Sequence, residues 1–278
     1  MKRRNKWLSA GWHGIVSVLL CAAVLIPILY ILMLSLKSSY DIMHNNLFFV
    51  PTLENFRNVF VGNVNYLSFT DVLKNSVITT LISVGVALVI ASLSAYSLAR
   101  LRVKRRMTIN YLILGMRMIP PIAIIVPLYI IWTRVGIYDT LWGLILPFIA
   151  LNIPLATWLL QGFFQGIPGN LEESAMIDGC TRFQAFYRVI LPLTAPGIAA
   201  TSIFSFSLSW NDLTIPMALT MTKAATMPVL SSQVKTDDGI MWGQLGAYAV
   251  LMILPMIIFT ASVSRYLVKG LSSGAVKE

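Results

Sequence analysis

NLEESAMIDGCTRFQAFYRVILPLTAPG, residues 170–197, is a polar segment set between long apolar runs. It carries two helix-start signals and a glycine, more local structure than a plain connection needs. Asn170 reads as an N-cap whose side chain accepts from the free N–H groups of the first turn, with Glu173 reaching back as in a capping box. Gly179 follows Asp178 at a place where a left-handed residue ends a helix. Thr181 with Gln184 repeats the cap signature, and a second helix is expected to run until Pro192 disrupts it. The expected element is a helix, a glycine corner and a second helix over residues 170–191.

The surrounding composition sets the solvent. With 57% hydrophobic residues, 12% charged and a mean hydropathy of +0.76, the chain lies outside the range of soluble globular domains. Apolar stretches cover residues 14–36, 77–98, 107–132, 141–164, 194–222 and 243–267. Each is long enough to cross about 30 Å of hydrocarbon at about 1.5 Å per residue. The fold class expected is therefore an all-α integral membrane protein, a single transmembrane domain of residues 1–278 with six transmembrane helices. The two-helix polar segment falls between spans 4 and 5. The opening MKRRNK and its apolar run read as an uncleaved first span, because the run is too long for a signal peptide and no small-x-small site follows.

Positive charge orients the spans. Fourteen Lys and Arg fall on the side of the N-terminus, among them Lys2, Arg100, Arg105, Arg182, Arg265 and Lys277, against six on the other side. The excess places both termini and residues 170–193 in the cytoplasm. The same partition accounts for the net charge of +10 without nucleic acid. Cys21 and Cys180 allow no disulfide framework, and His13 and His44 lie on opposite sides of the membrane and cannot share a metal. Outside the bilayer, Phe183, Phe186 and Tyr187 still need cover. The residues alone leave two readings open: an amphipathic element on the membrane surface, or a docking element for a cytoplasmic partner.

Glu173-Ser174-Ala175-Met176-Ile177-Asp178-Gly179-Cys180, followed by Phe186, Ile190-Leu191-Pro192 and Pro196, resembles the EAA motif of ABC importer permeases. That pattern is E-A-A, two residues, D-G-A, and later an F and an L-P. Ser174 and Cys180 stand where alanine is usual, and both are small. The resemblance implies a coupling loop seated in a cleft of an ATP-hydrolysing subunit. In it Glu173 and Asp178 order the docking helices, Ala175 packs closely, Gly179 makes the corner, Phe183 and Phe186 anchor in the cleft, and Pro192 closes the motif. Ser209-Trp210-Asn211-Asp212, Met227-Pro228-Val229, Leu254-Pro255 and the ending from Val268 to Lys277 resemble the carbohydrate-uptake permeases, in particular the six-span partner similar to the smaller maltose-transporter permease. The likeness covers nearly the whole chain.

The resemblance implies a multi-pass subunit of the bacterial cytoplasmic (inner) membrane. Its partners would be a second homologous permease, two copies of an ATP-binding cassette subunit and an extracytoplasmic solute-binding protein. No cofactor is expected on this chain; ATP and Mg belong to the ATPase. Consistent with that, no G-x-x-x-x-G-K-[ST] phosphate loop occurs in the sequence. Six spans without an evident inverted repeat are few for a self-sufficient carrier. The alternative is an ATP-independent secondary carrier or channel subunit. A membrane enzyme would need a catalytic constellation, and none stands out.

Candidate path residues come from the spans themselves. Ser202, Ser205, Ser209, Asp212 and Pro216 step by three or four residues, which confines them to one face of a continuous helix. Asn211 is a neighbouring candidate. An ionised Asp212 facing lipid would cost about 2.5–3.5 kcal/mol, so it is expected to face protein, water or a countercharge. Arg117 precedes Pro120-Pro121, where the helix should break. It is expected to meet solute or to bridge to Asp212 or a carbonyl. Ala87, Ala91, Ala95 and Ala99 form a small-residue stripe suited to close approach of another helix, the partner permease's among the candidates. Residues 37–71 read as a solvated outer loop, and the resemblance adds docking of a binding protein.

Overall fold

The computed structural model describes residues 2–236 and 239–274. Residues 275–277 of the terminal resemblance, including Lys277, lie outside the described residues. By length and apolar composition four helices suit a membrane crossing, or up to six if each of two bent pairs is one span. The described residues form two compact units, one comprising the chain up to Ser68 with Ser231–Ile253, the other Phe69–Leu230 with the chain from Leu254 onward.

The first unit begins with α1 (Lys2–Leu36), followed by α2 (Ser39–Met43), α3 (Glu54–Val61) and a hairpin of β1 (Asn63–Val64) and β2 (Leu67–Ser68). Apolar side chains of α1 such as Leu19, Val24 and Ile26 are exposed, as a surface solvated by lipid requires. The C-terminal end of α1 leaves carbonyls without helical partners, and buried Asn55 satisfies one of them: its Nδ2 donates to Ser35 O at 3.0 Å, and also to Lys37 O just beyond the helix at 2.7 Å. Gly243 is obligatory beside it, since a Cβ there would meet Asn55 Oδ1 at 2.5 Å.

In the second unit α4 (Phe69–Arg100) and α7 (Leu141–Gly166) form the most extensively packed pair. Ala87, Ala91 and Ala95 have no exposed surface, and Ala91 and Ala95 pack with Ala156, Leu160 and Phe164 of α7. The alanine stripe is thus filled by this chain's own helix; small side chains let the two backbones approach. Between α4 and α7, the third apolar stretch breaks as its prolines predict. Helix α5 (Arg106–Arg117) and α6 (Pro121–Val135) meet at 81°, with Pro121 at the first position of α6. Helix α7 tolerates Pro147 because the carbonyl it frees, Gly143 O, accepts from Trp132 Nε1 at 2.8 Å.

The polar segment contains α8 (Gly169–Ile177), α9 (Arg182–Ala185), a π-helical turn at Phe186–Ile190 and α10 (Leu191–Leu193). It meets α11 (Ala195–Trp210) at 73°. The fifth apolar stretch is also interrupted: α11 ends at Trp210, and α12 (Thr214–Leu219) follows after a break. Then come α13 (Met227–Ser232), β3 (Lys235–Thr236), β4 (Gly239–Ile240) and α14 (Trp242–Gly274). Ser202, Ser205 and Ser209 share the buried face of α11, but Asp212 and Pro216 lie past its end. The single five-residue face therefore does not form. Asn211 and Asp212 are poor helix formers whose side chains compete for backbone groups. Asp212 Oδ1 accepts from Ile215 N at 2.9 Å and starts the new turn.

Asp139, left-handed at φ 53°, staples the connection before α7 to the strand of chain after α12. Its carboxylate accepts from the backbone N–H groups of Met221, Thr222, Lys223 and Ala224 at 2.8–3.2 Å. Burial pushes the Asp139 carboxyl up, yet the four N–H donors together hold it below the ordinary aspartate value. A lowered folded pKa means that the stabilisation is present above the unfolded value of about 3.9 and is lost as pH falls through the folded value. Asp139→Asn replaces one acceptor oxygen with a donor facing donors. It should speed amide hydrogen exchange at residues 221–224 at least tenfold at pH 7, and the wild-type chain should show the same loosening only below about pH 4. Unchanged exchange in the variant would rule out the staple.

Candidate functional site

The polar segment folds as two short helices around a glycine corner. Gly179 is left-handed at φ 89°, and the turn closes with Cys180 N donating to Ala175 O at 3.0 Å and Gly179 N to Met176 O at 3.1 Å, a Schellman pattern. Thr181 and Gln184 form the expected capping box, Thr181 N donating to Gln184 Oε1 at 2.8 Å and Gln184 N to Thr181 Oγ1 at 3.3 Å.

Two expectations fail here. Asn170 is not an N-cap: Pro168 occupies that position without a side-chain bond, and the helix starts at Gly169. Proline presets its own φ and forces the preceding residue to be extended, so the helix begins earlier than the Asn-x-x-Glu pattern implies. Glu173 thereby falls on the exposed face. Pro192 does not end the second helix, because the π-helical turn before it accommodates its missing N–H and the helix continues to Leu193.

The residue that the sequence reading passed over is Glu172. It is buried with Ala175 on the inner face of α8, and Tyr96 Oη donates to its Oε1 at 2.5 Å. Arg100 Nε lies 3.8 Å from Oε2, and Arg182 Nη1 lies 3.7 Å from Oε1. Arg100 also donates to Ile167 O. A single carboxylate thus joins the end of α4 to both helices of the segment. The i, i+3 spacing of Glu172 and Ala175 was its one sequence signal, usable only once the helix start is fixed at Pro168.

Phe186 is not an outward anchor. It is 5% exposed and packs 4.6 Å from Tyr96 and 6.1 Å from Phe164, ring centre to ring centre. The face of the segment carrying Ala185, Phe186 and Ile190 is the face that covers the bundle. Phe183 does point away, at 65% exposure, and Ile177 joins it at 85%. Glu173, Asp178 and Pro192 are also exposed. The segment is therefore fixed on its inner side and exposes Ile177 and Phe183 on its outer side.

The second constellation lies where α5, α7 and α11 are each broken or polar. A cavity of about 240 Å³ is lined by Arg117, Phe148, Asn152, Ser209 and Asp212, with Ile119, Pro121, Leu151 and Leu208 around them. Asn152 Nδ2 donates to Ser209 Oγ at 2.8 Å and to Phe148 O at 2.7 Å, bridging α7 to α11. Arg117 Nη1 donates to Leu151 O at 3.3 Å. No ion pair joins Arg117 and Asp212 within 4.0 Å among the described residues. Ser205 is buried and Asn211 back-bonds to Ser207 O at 2.9 Å, and neither lines the cavity. Among the described residues no three His, Cys, Asp or Glu side chains converge as a metal site.

The opposite placements of two phenylalanines give a direct test. Phe186→Ala should lower stability by about 3–5 kcal/mol, the range for emptying a core aromatic site. Phe183→Ala should stay within about 0.5 kcal/mol. Thermal unfolding of the detergent-solubilised chain distinguishes them, and equal losses would contradict the assigned faces.

Comparison with known proteins agrees with this architecture. Residues 87–273 match the family described as "binding-protein-dependent transport system inner membrane component". The chain is 37% identical to the trehalose transport system permease protein SugB of Mycobacterium tuberculosis, with 96% of this chain and 98% of that protein covered. It is 34% identical to the diacetylchitobiose uptake system permease protein DasC of Streptomyces coelicolor, with 96% of each covered. Its fold matches a chain in the crystal structure of a bacterial ABC transporter involved in import of the acidic polysaccharide alginate, with a TM-score of 0.72 at 22% identity over 91% of this chain and 95% of that one. The helical fold, with its apolar spans and bent pairs, is that of an ABC permease, and the chain belongs to the family of binding-protein-dependent transport system inner membrane components.

Proposed function

We propose that this chain forms half of the translocation path of an ATP-driven carbohydrate importer and receives its motion through residues 170–191. On this reading it crosses the inner membrane six times, with the bent pair α5 and α6 as the third span and α11 carrying the fifth. The segment lies in the cytoplasm between spans 4 and 5, with both termini on the same side. The excess of Lys and Arg on that side supports the orientation. The partners are a second homologous permease, two copies of an ATP-binding cassette subunit carrying ATP and Mg, and an extracytoplasmic solute-binding protein. Carbohydrate is favoured because relatives with near-complete coverage are named for trehalose and diacetylchitobiose.

The observation that carries the coupling reading is a capped helical pair, tied to the bundle through Glu172, whose outer tip presents Ile177 and Phe183. A loop that merely connects spans needs neither the tie nor the apolar tip. Closure of the ATPase pair would push on α8 and α9. Tyr96 and Arg100 would pass that displacement to α4, and rocking of the bundle would alternate access between the two sides. Gly179 shapes the docking pair, Glu173 and Asp178 face outward on it toward the ATPase, and Ala175 keeps α8 close to the bundle.

The first experiment is to purify the tagged chain from its host in mild detergent, identify its companions and assay ATP hydrolysis. A second permease and an ATPase are expected; a chain that purifies alone and transports without ATP would make it a carrier. Within the assembled complex, Gly179→Val forces a β-branched residue into the left-handed region. Insertion should persist while binding-protein-stimulated ATP hydrolysis falls at least tenfold. Normal stimulation in that variant would remove the corner from the coupling path.

A further inference from the structure

The cavity between α5, α7 and α11 has features that the importer reading does not require. Arg117 stands at the end of the 12-residue helix α5, inside the third apolar stretch. A guanidinium in an apolar stretch belongs in water or against a counter-charge rather than in hydrocarbon. Asp212 lines the same cavity but does not pair with it, and instead accepts the Ile215 N–H. Asn152, 2% exposed, contributes a carboxamide whose Oδ1 has no hydrogen-bond partner, although both donors of its amide group are used. Buried acceptors are seldom left unmade without a role.

We infer that this cavity is a solute subsite on this chain, and that it takes a single uncharged, hydroxyl-bearing ring, a neutral sugar unit. The inference rests on the carbohydrate-importer reading above and narrows it. Arginine offers a fork of donors and no acceptor, and an ionised aspartate offers acceptors and no donor. A vicinal diol supplies both roles at adjacent oxygens, so it can accept from Arg117 and donate to Asp212. Ser209 adds a neutral polar contact, held in place by the Asn152 amide behind it. Phe148, Leu208 and Leu151 provide the apolar wall for the C–H face of a ring. The cavity, of about 240 Å³, is large enough for one sugar ring. The two formal charges cancel. A uronate would gain Arg117 but meet Asp212 as a like charge, and a cationic solute would meet the reverse. The subsite therefore offers an acidic sugar no net electrostatic attraction to offset the cost of desolvating its carboxylate, and an uncharged ring is preferred.

The test uses the complete complex in liposomes with its binding protein, supplying trehalose, maltose and glucuronate as probes and measuring solute imported per ATP hydrolysed. If the wild-type complex imports no carbohydrate in an ATP-dependent way, the importer reading fails and this inference falls with it. If it does, Arg117→Gln and Asp212→Asn should each reduce neutral sugar imported per ATP at least fivefold while ATP hydrolysis persists. A smaller loss in both variants overturns the subsite and leaves the importer reading standing. Should either variant fail to assemble, Leu208→Cys provides an independent readout at the cavity wall. Neutral sugar should slow its thiol labelling at least threefold in the assembled complex, read at position 208 by mass spectrometry, whereas glucuronate should not. Labelling that no sugar slows, or that glucuronate slows equally, overturns the proposal.

Discussion

The buried carboxylate of Glu172 is the interaction on which the polar segment and its hold on α4 depend. Isolated, it would be expensive to bury; with Tyr96, Arg100 and Arg182 around it, it becomes a junction between three helices. Its geometry differs from that of a surface ion pair, because Glu172 and Arg100 are almost fully enclosed while Arg182 remains half exposed. The tyrosine hydroxyl and the two guanidinium groups approach from different elements. Loss of the carboxylate would leave Arg100 a buried cation, so the junction favours one arrangement of the segment over many.

Packing around that junction is aromatic and aliphatic. Tyr96, Phe164 and Phe186 form a cluster with Ala91, Ala95 and Leu160 directly beside it. The same tyrosine therefore serves two layers, its ring in the apolar cluster and its hydroxyl on the carboxylate. At the opposite end of the unit, Phe206 stacks on Phe259 at 4.2 Å and on Trp210 at 5.5 Å, joining α11 to the later part of α14. The polar cavity sits where α5 gives way to α6 and where α11 ends, against the unbroken α7.

Local chemistry was legible in the sequence wherever one residue dictates the backbone. Pro120-Pro121 placed the break between α5 and α6, Gly179 placed the corner, and Thr181 with Gln184 placed a cap. Hydropathy marked the apolar stretches. The sequence misled where two local rules competed or where burial was decided by tertiary contacts. Asn170 lost the helix start to Pro168, and a π-helical turn let the helix pass Pro192. Glu172 and Glu173 are chemically identical, and only the packing of α8 on α4 separates the buried one from the exposed one. Phe183 and Phe186 differ in the same way. Asp212 followed the serine periodicity only until α11 ended, a break that Asn211-Asp212 signals weakly.

The staple at Asp139 has a mechanical consequence. Its carboxylate holds four consecutive amides, while Asn75 Nδ2 donates to Lys223 O at 2.8 Å and Ser76 Oγ accepts from Met227 N at 2.7 Å. These bonds strap the chain after α12 to the turn before α7 and to the first turns of α4. None of the three can shift by itself without breaking several bonds at once, so they travel as one block. If the bundle rocks as proposed, deformation falls at the two bends and at the gap between α11 and α12. The prolines and the Asn-Asp pair are then the pivots, and the strapped block is the lever arm that they turn.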